Sequence, residues 1–283
     1  MSTAQRLTHH LYCTYLCLKR ETGLLMGTEK REPFQGDGLP LPSAALRYRV
    51  HGSVRPEGFL RVGRACARDI ETILRRHGMQ LSRFGAVLDF GCGCGRVLRF
   101  FKDLPSSCHL YGTDIDEQAI RWCRRHLPMA RWSVNPDLPP TGYAEGFFDF
   151  VFALSVFTHL DESFQDDWLT EFRRILKPGG VALITLHGEA FLNRLSPEGR
   201  RAADEKGLMT AVGQTGARKL DGLPDYYQTT YHRRSYVLER WGRLFDVLDY
   251  EERAINGQQD AVVLKKFQDR YHEECALSRS EEQ

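Results

Sequence analysis

Residues 87–96 read Val-Leu-Asp-Phe-Gly-Cys-Gly-Cys-Gly-Arg, with a carboxylate at Asp89 and glycines at Gly91, Gly93 and Gly95. Alternate glycines remove Cβ atoms, so a ligand can lie against the main chain. A helix that follows such a turn aims unpaired N–H groups at whatever the turn holds. A nucleotide phosphate loop needs Lys-Ser/Thr after its glycines, and there is none here. A dinucleotide fingerprint needs Gly-x-Gly-x-x-Gly, and the position three after Gly93 is Arg96. An acidic residue two before the first glycine would repel a pyrophosphate; it suits a cation such as the ammonium of an amino acid. Cys92 and Cys94 flank Gly93 and are either a metal pair or space filler. Without a CxxC pair or a His/Cys cluster at zinc spacing, filler is the reading adopted and no metal is expected. His159 and His187 each follow an apolar run, and a neutral imidazole accepts a proton near neutral pH.

The elements that must hold these residues alternate. Residues 86–90 read as a buried strand running into the glycine turn, and 96–102 as the helix after it. Strands follow at 109–113, 131–134, 148–154 and 181–186, with helices at 116–126 and 161–176, the last ended by Lys177-Pro178-Gly179-Gly180. Asp116 reads as the N-cap of its helix. Strands alternating with helices predict a doubly wound, mostly parallel sheet covered on both faces. Upstream, Leu7, Leu11, Tyr15 and Leu18 recur at helical spacing over residues 1–20, residues 33–42 are a Gly/Pro loop, and 58–77 form a helix with a stripe at Leu60, Ala67, Ile70 and Leu74. Downstream, residues 188–234 break the rhythm and read as an insertion over the carboxyl edge of the sheet. A helix at 235–244 and a hairpin turning at Asn256-Gly257 close the chain.

The chain has 283 residues, 42% hydrophobic and 27% charged, with 39 Lys+Arg against 37 Asp+Glu. That supports a large folded core and excludes a disordered chain, a collagen-like fibre or a coiled-coil rod. The even charge gives no bulk reason to expect nucleic acid, so no DNA partner is expected, while a local RNA patch stays open. The eight cysteines fit small buried hydrophobes in a reducing compartment better than a disulfide framework. The apolar stretch at residues 11–18 is too short to span a bilayer and no cleavage site follows it, so a cytoplasmic protein is expected.

Asp-x-Gly-x-Gly-x-Gly after the first strand resembles the signature of the class I S-adenosylmethionine-dependent methyltransferases. The similarity continues in register through Gly112-Thr113-Asp114-Ile115-Asp116, Phe147-Phe148-Asp149-Phe150-Val151-Phe152 and Arg174-Ile175-Leu176-Lys177-Pro178-Gly179-Gly180. It covers roughly residues 84–187 and the final hairpin. It implies a seven-stranded sheet whose last strand is antiparallel, and S-adenosylmethionine as cofactor, with S-adenosylhomocysteine as product. It further implies that Asp89 and the main chain of Gly91, Cys92, Gly93 and Gly95 hold the methionine part and that Asp114 takes the ribose hydroxyls. Ile115 would lie against the adenine, Asn135 would bond its amino group, and Leu154 and Ser155 would end the fourth strand beside the methyl group.

The expected organisation is an N-terminal helical or lid segment at 1–57, a methyltransferase domain at 58–270 with 188–234 as acceptor cap, and a frayed tail at 271–283. Candidates for the acceptor side lie after the fourth and fifth strands, where ligands of open α/β sheets bind. His159 and His187 are candidate general bases, each with a structural alternative. Tyr226, Tyr227, Tyr231 and His232 form an aromatic cluster that either packs or binds the acceptor; Tyr227, His232 and Arg49 are the acceptor-binding candidates. Arg47, Arg49, His51 and Arg55 are either a solvated face or a lid segment that closes over the cofactor or binds an anionic acceptor. The expected activity is O- or N-methylation of a small-molecule or glycan-type acceptor by a monomer or homodimer. The rivals are an RNA or protein methyltransferase, and an inactive cofactor-binding scaffold. Leu154-Ser155-Val156-Phe157 stands where amino-group methylases carry Asn-Pro-Pro-Tyr, which argues against base methylation.

Overall fold

The computed structural model describes residues 3–26, 36–211 and 227–268. Five parallel strands build most of the sheet: β1 (Ala86–Phe90), β2 (His109–Asp114), β3 (Ala130–Val134), β4 (Phe148–Ala153) and β5 (Leu176–Leu186). A hairpin of β8 (Asp246–Ile255) and β9 (Gln259–Lys265) completes it, in the order β3-β2-β1-β4-β5-β9-β8. β9 runs antiparallel to both neighbours, pairing Leu183 of β5 with Val263. This is the doubly wound, mostly parallel arrangement expected, with the reversed final strand seated between β5 and β8.

Residue alternation explains why both faces are covered. Within β1, Val87 enters one core, with Phe59, Ile70 and Leu74 of α3 (Pro56–Arg76). Its neighbours Ala86, Leu88 and Phe90 enter the other, with Trp168, Phe172 and Ile175 of α5 (Glu162–Ile175) and Trp241 of α8 (Arg234–Trp241). A strand buried on both sides reads as a continuous apolar run, which is why β4 is Phe-Asp-Phe-Val-Phe-Ala. Asp149, its one charge, bonds the backbone N–H groups of Gly85 and Ala86 and pairs with Lys177 at 2.7 Å. It therefore orders the strand starts.

Some boundaries and faces depart from expectation. The residues after the glycine turn form turns and a short 3₁₀ helix at Leu98–Phe101, not an α-helix. Arg99 in that segment is fully buried, its guanidinium held by the Asp37 carboxylate and the carbonyls of Leu39 and Pro40. The Lys177–Gly180 stretch is strand rather than loop, since β5 starts at Leu176 directly after α5. α1 (Thr3–Leu25) is helical as its spacing requires, yet Leu7, Leu11, Tyr15 and Leu18 lie 56–64% exposed. α1 instead rests its other face on α2 (Ala44–His51), through His9 on the Ala45 carbonyl, Cys13, and Tyr12 edge-on to Tyr48. The stretch 188–234 contains α6 (Glu189–Leu192), α7 (Pro197–Lys206) and a separate antiparallel pair, β6 (Leu208–Ala211) with β7 (Thr229–His232). Tyr226 and the tail at 271–283 lie outside the described residues. Among the described residues no helix is long and apolar enough to cross a membrane.

Candidate active site

A cleft opens at the carboxyl ends of β1, β2 and β4, where the first strand order reverses. Asp89, Gly91, Cys92, Gly93, Asp114, Ile115, Asn135, Leu154, Ser155, His159, Tyr227 and Arg49 all line it. Three sequence candidates do not. Gly95 turns away, and a Cβ there would meet Leu127 at 2.5 Å and Trp132 at 3.0 Å; with φ at +72° it serves the packing of the turn on α4 (Glu117–His126). His232 is fully buried, its Nε2–H donating to Gln165 Oε1 at 3.0 Å, because β7 points it into the core beside Trp241. His187 packs on Phe191 with ring centroids 4.4 Å apart, and its Nδ1 is buried with no hydrogen-bond partner. Burial and the nearby His159 push its pKa down to about 4, which makes it a weak proton acceptor.

The two carboxylates differ in their partners. Asp114 Oδ2 accepts from the Gly93 N–H at 2.7 Å and Oδ1 from the Asp116 N–H at 2.8 Å, so this side chain clamps the glycine turn to the β2–α4 connection. Burial raises its pKa to about 6. Asp89 is 3% exposed and receives no hydrogen bond from any described residue. Burial, with Asp114 nearby, pushes its pKa well above the usual carboxylate range. A cation entering the cleft would relieve that cost. Thiols here are inert: burial raises Cys92 well above its ordinary value and Cys94 to about 12.

Beyond β4 the backbone is strained where it meets the cleft. Ser155 has φ of +57°, a left-handed angle rare for serine. Its surroundings over-determine it. Its N–H donates to Thr185 Oγ1 at 2.8 Å, its Oγ accepts from Gln259 at 2.6 Å, and Tyr227 donates to its carbonyl at 3.2 Å. His159 ends a 3₁₀ turn, stacked on Tyr227 with centroids 4.2 Å apart. Its Nδ1–H donates to the Gln228 carbonyl at 2.6 Å, which puts the acceptor lone pair on Nε2.

The segment read as either a solvated face or a lid lies over the cleft as its roof. α2 crosses the glycine turn: a Cβ on Gly93 would meet Val50 at 2.5 Å, and Arg49 pairs with Asp116 at 2.8 Å while reaching Gln118 at 3.0 Å. Asp116 therefore caps α4, through the N–H groups of Gln118 and Ala119, and also latches α2. Arg49 and Arg47 are not a solvated face; Arg47 bonds the carbonyls of Val54 and Pro42. Asn135 spends its amide locally, accepting from Thr113 at 3.1 Å and donating to Pro136 at 2.8 Å. Val156 and Leu160, in the candidate segment after the fourth strand, also line the cleft, as do Asp137 and Trp168, which carried no sequence signal.

Residues 87–180 match the model of a family described as a methyltransferase domain. The chain is 32% identical over 124 residues to malonyl-(acyl-carrier protein) O-methyltransferase of Enterobacter lignolyticus (strain SCF1). That stretch is 44% of this chain and 47% of the relative, so the chain spans about half the length of the curated protein it matches. Among solved structures it is similar in fold to a protein of Pyrococcus horikoshii OT3, at TM-score 0.50 and 18% identity over 70% of this chain and 88% of that one. An O-methyltransferase family protein of Burkholderia thailandensis aligns at TM-score 0.50 and 14% identity over 91% and 71%. The fold is the Rossmann-like fold of class I methyltransferases, and residues 87–180, which hold the glycine turn, match a methyltransferase domain. The cleft fits S-adenosylmethionine: an unpartnered buried carboxylate would meet its ammonium, and the glycine turn would leave its backbone open to the ligand.

Proposed function

We propose that the chain methylates a hydroxyl or amine of a small-molecule or glycan-type acceptor. When bound, S-adenosylmethionine supplies an electrophilic methyl group on a sulfonium. Asp89 pairs with the ammonium, and the main chain at Gly91 to Gly93 lies along the methionine part. Asp114 accepts from the ribose hydroxyls with the lone pairs that Gly93 and Asp116 leave over. Ile115 and Asn135 flank the adenine. The rigid Ser155 carbonyl and the Tyr227–His159 stack form the wall that orients the acceptor and excludes water, which is most of what an activated donor requires. Where the acceptor is a hydroxyl, its proton goes to Nε2 of His159.

The observation that carries this reading is Asp89, a buried carboxylate without a partner facing a glycine-lined cleft. Asp89 speaks for cofactor binding; methyl transfer is what separates an enzyme from the inactive scaffold. The test is calorimetry with S-adenosylhomocysteine followed by a screen of hydroxyl and amine acceptors with labelled S-adenosylmethionine. Saturable binding and label transfer support the reading. Binding without transfer to any acceptor class, nucleic acid and peptides included, favours the scaffold.

A further inference from the structure

A second chamber, of about 350 Å³, adjoins the cleft. Its walls are His51 of α2, Val62 and Cys66 of α3, and Asn256 and Gln258 of the β8–β9 turn. Arg96, Val50, Leu154 and Ser155 belong to both spaces, so the two meet at the end of β4. The size suits a small organic ligand. The charge is more informative. Arg96 stands at the junction and forms no ion pair with any described residue; its one hydrogen bond is Nη1 to Nδ1 of His51 at 3.4 Å, and its Nε is buried without a partner. His51 brings no compensating charge: burial, Arg96 and Arg61 push its pKa down to about 4, leaving it neutral. Asp89 feels Arg96 across the cleft without touching it, and an ammonium on Asp89 would leave the guanidinium unmatched. A half-buried guanidinium with open donors, walled by side-chain amides, is a recognition site for an oxyanion.

We propose that this chamber receives the acceptor and that Arg96 binds an anionic group on it, a carboxylate or a phosphate. The substrate class is thus an anionic small molecule, anchored in the chamber with its reacting atom at the Leu154–Ser155 junction. This rests on the methyltransferase reading for the word acceptor, though the anion selectivity does not depend on it. The test titrates benzoate, phenyl phosphate and benzamide into the protein, with and without saturating S-adenosylhomocysteine, by ligand-observed NMR. The wild type is expected to bind one anion at least tenfold more tightly than benzamide, the stronger of the two naming the group. Arg96→Gln should erase that preference and Arg96→Lys restore part of it. Val62→Trp should block all three probes while S-adenosylhomocysteine affinity stays within threefold; Gln258→Leu, a milder change, should weaken the probes in the same direction. Equal binding of anions and amide by the wild type overturns the proposal. So does an Arg96→Gln variant that keeps the anion preference but loses tenfold in S-adenosylhomocysteine affinity, which would place the guanidinium on the cofactor's own carboxylate. Anion selectivity without any binding of S-adenosylhomocysteine would support the chamber and remove the methyltransferase reading.

Discussion

Asp89 and Asp114 sit in one cleft with opposite circumstances, and their variants should behave differently. Asp114 is built into the turn by two backbone N–H groups, so Asp114→Ala should lower both affinity and melting temperature. Its pKa of about 6 sets a pH signature. The ionised form accepts from ribose hydroxyls, so affinity for S-adenosylhomocysteine should fall as pH drops through about 6. Stability without ligand should run the other way. The folded state holds a proton up to about 6 and the unfolded chain only to 3.8, so this group's contribution weakens as pH rises through that window. Calorimetry and thermal melts from pH 4.5 to 8 check both signs; affinity that is flat across pH 6 would remove the ribose role. His159→Ala should cost about 10²–10⁴ in turnover with cofactor affinity unchanged, if a hydroxyl is the acceptor. His187→Ala should keep most turnover, because that ring does not line the cleft and is a poor base. The reverse ranking in steady-state assays would exchange their roles.

Among the elements, α2 holds the device most open to test. Its Arg49–Asp116 pair ties the roof to the start of α4, with side chains only 8% and 22% exposed. Arg49→Ala should raise the dissociation rate of S-adenosylhomocysteine by roughly tenfold, about 1.4 kcal/mol, measured by stopped flow; an unchanged rate would mean that the roof does not gate the cleft. This latch was invisible in the sequence, whereas the glycine turn was plain. Asp89 to Gly95 are neighbours in the chain, so their spacing states their geometry, and the strand and helix on either side follow from periodicity. Arg49 and Asp116 are 67 positions apart and meet only because α2 crosses the turn. His232 shows the same limit. Its place beside Tyr231 suggested a pocket wall, but alternation along β7 sends it into the core. Periodicity also found α1 but not its packing, because a stripe of Leu7, Leu11 and Leu18 states that one side is apolar, not what covers it.

Across the whole molecule, two cores sandwich the sheet and leave its carboxyl edge to the ligand sites, with α2 above and the β8–β9 turn beside them. The described part does not use the apolar stripe of α1. Leu11→Lys with Leu18→Lys should therefore change unfolding free energy by no more than about 0.5 kcal/mol per site. A loss beyond about 2 kcal/mol in chemical denaturation would show the stripe buried in an assembly. The central claim is that this edge holds a sulfonium cofactor by its ammonium at Asp89. Titration calorimetry of S-adenosylhomocysteine against the wild type and Asp89→Asn tests it most directly. Saturable one-to-one binding by the wild type is expected, weakened in the variant by about 1–3 kcal/mol, the worth of a charged hydrogen bond. Equal affinity in the two proteins, or no heat with the wild type, would contradict it.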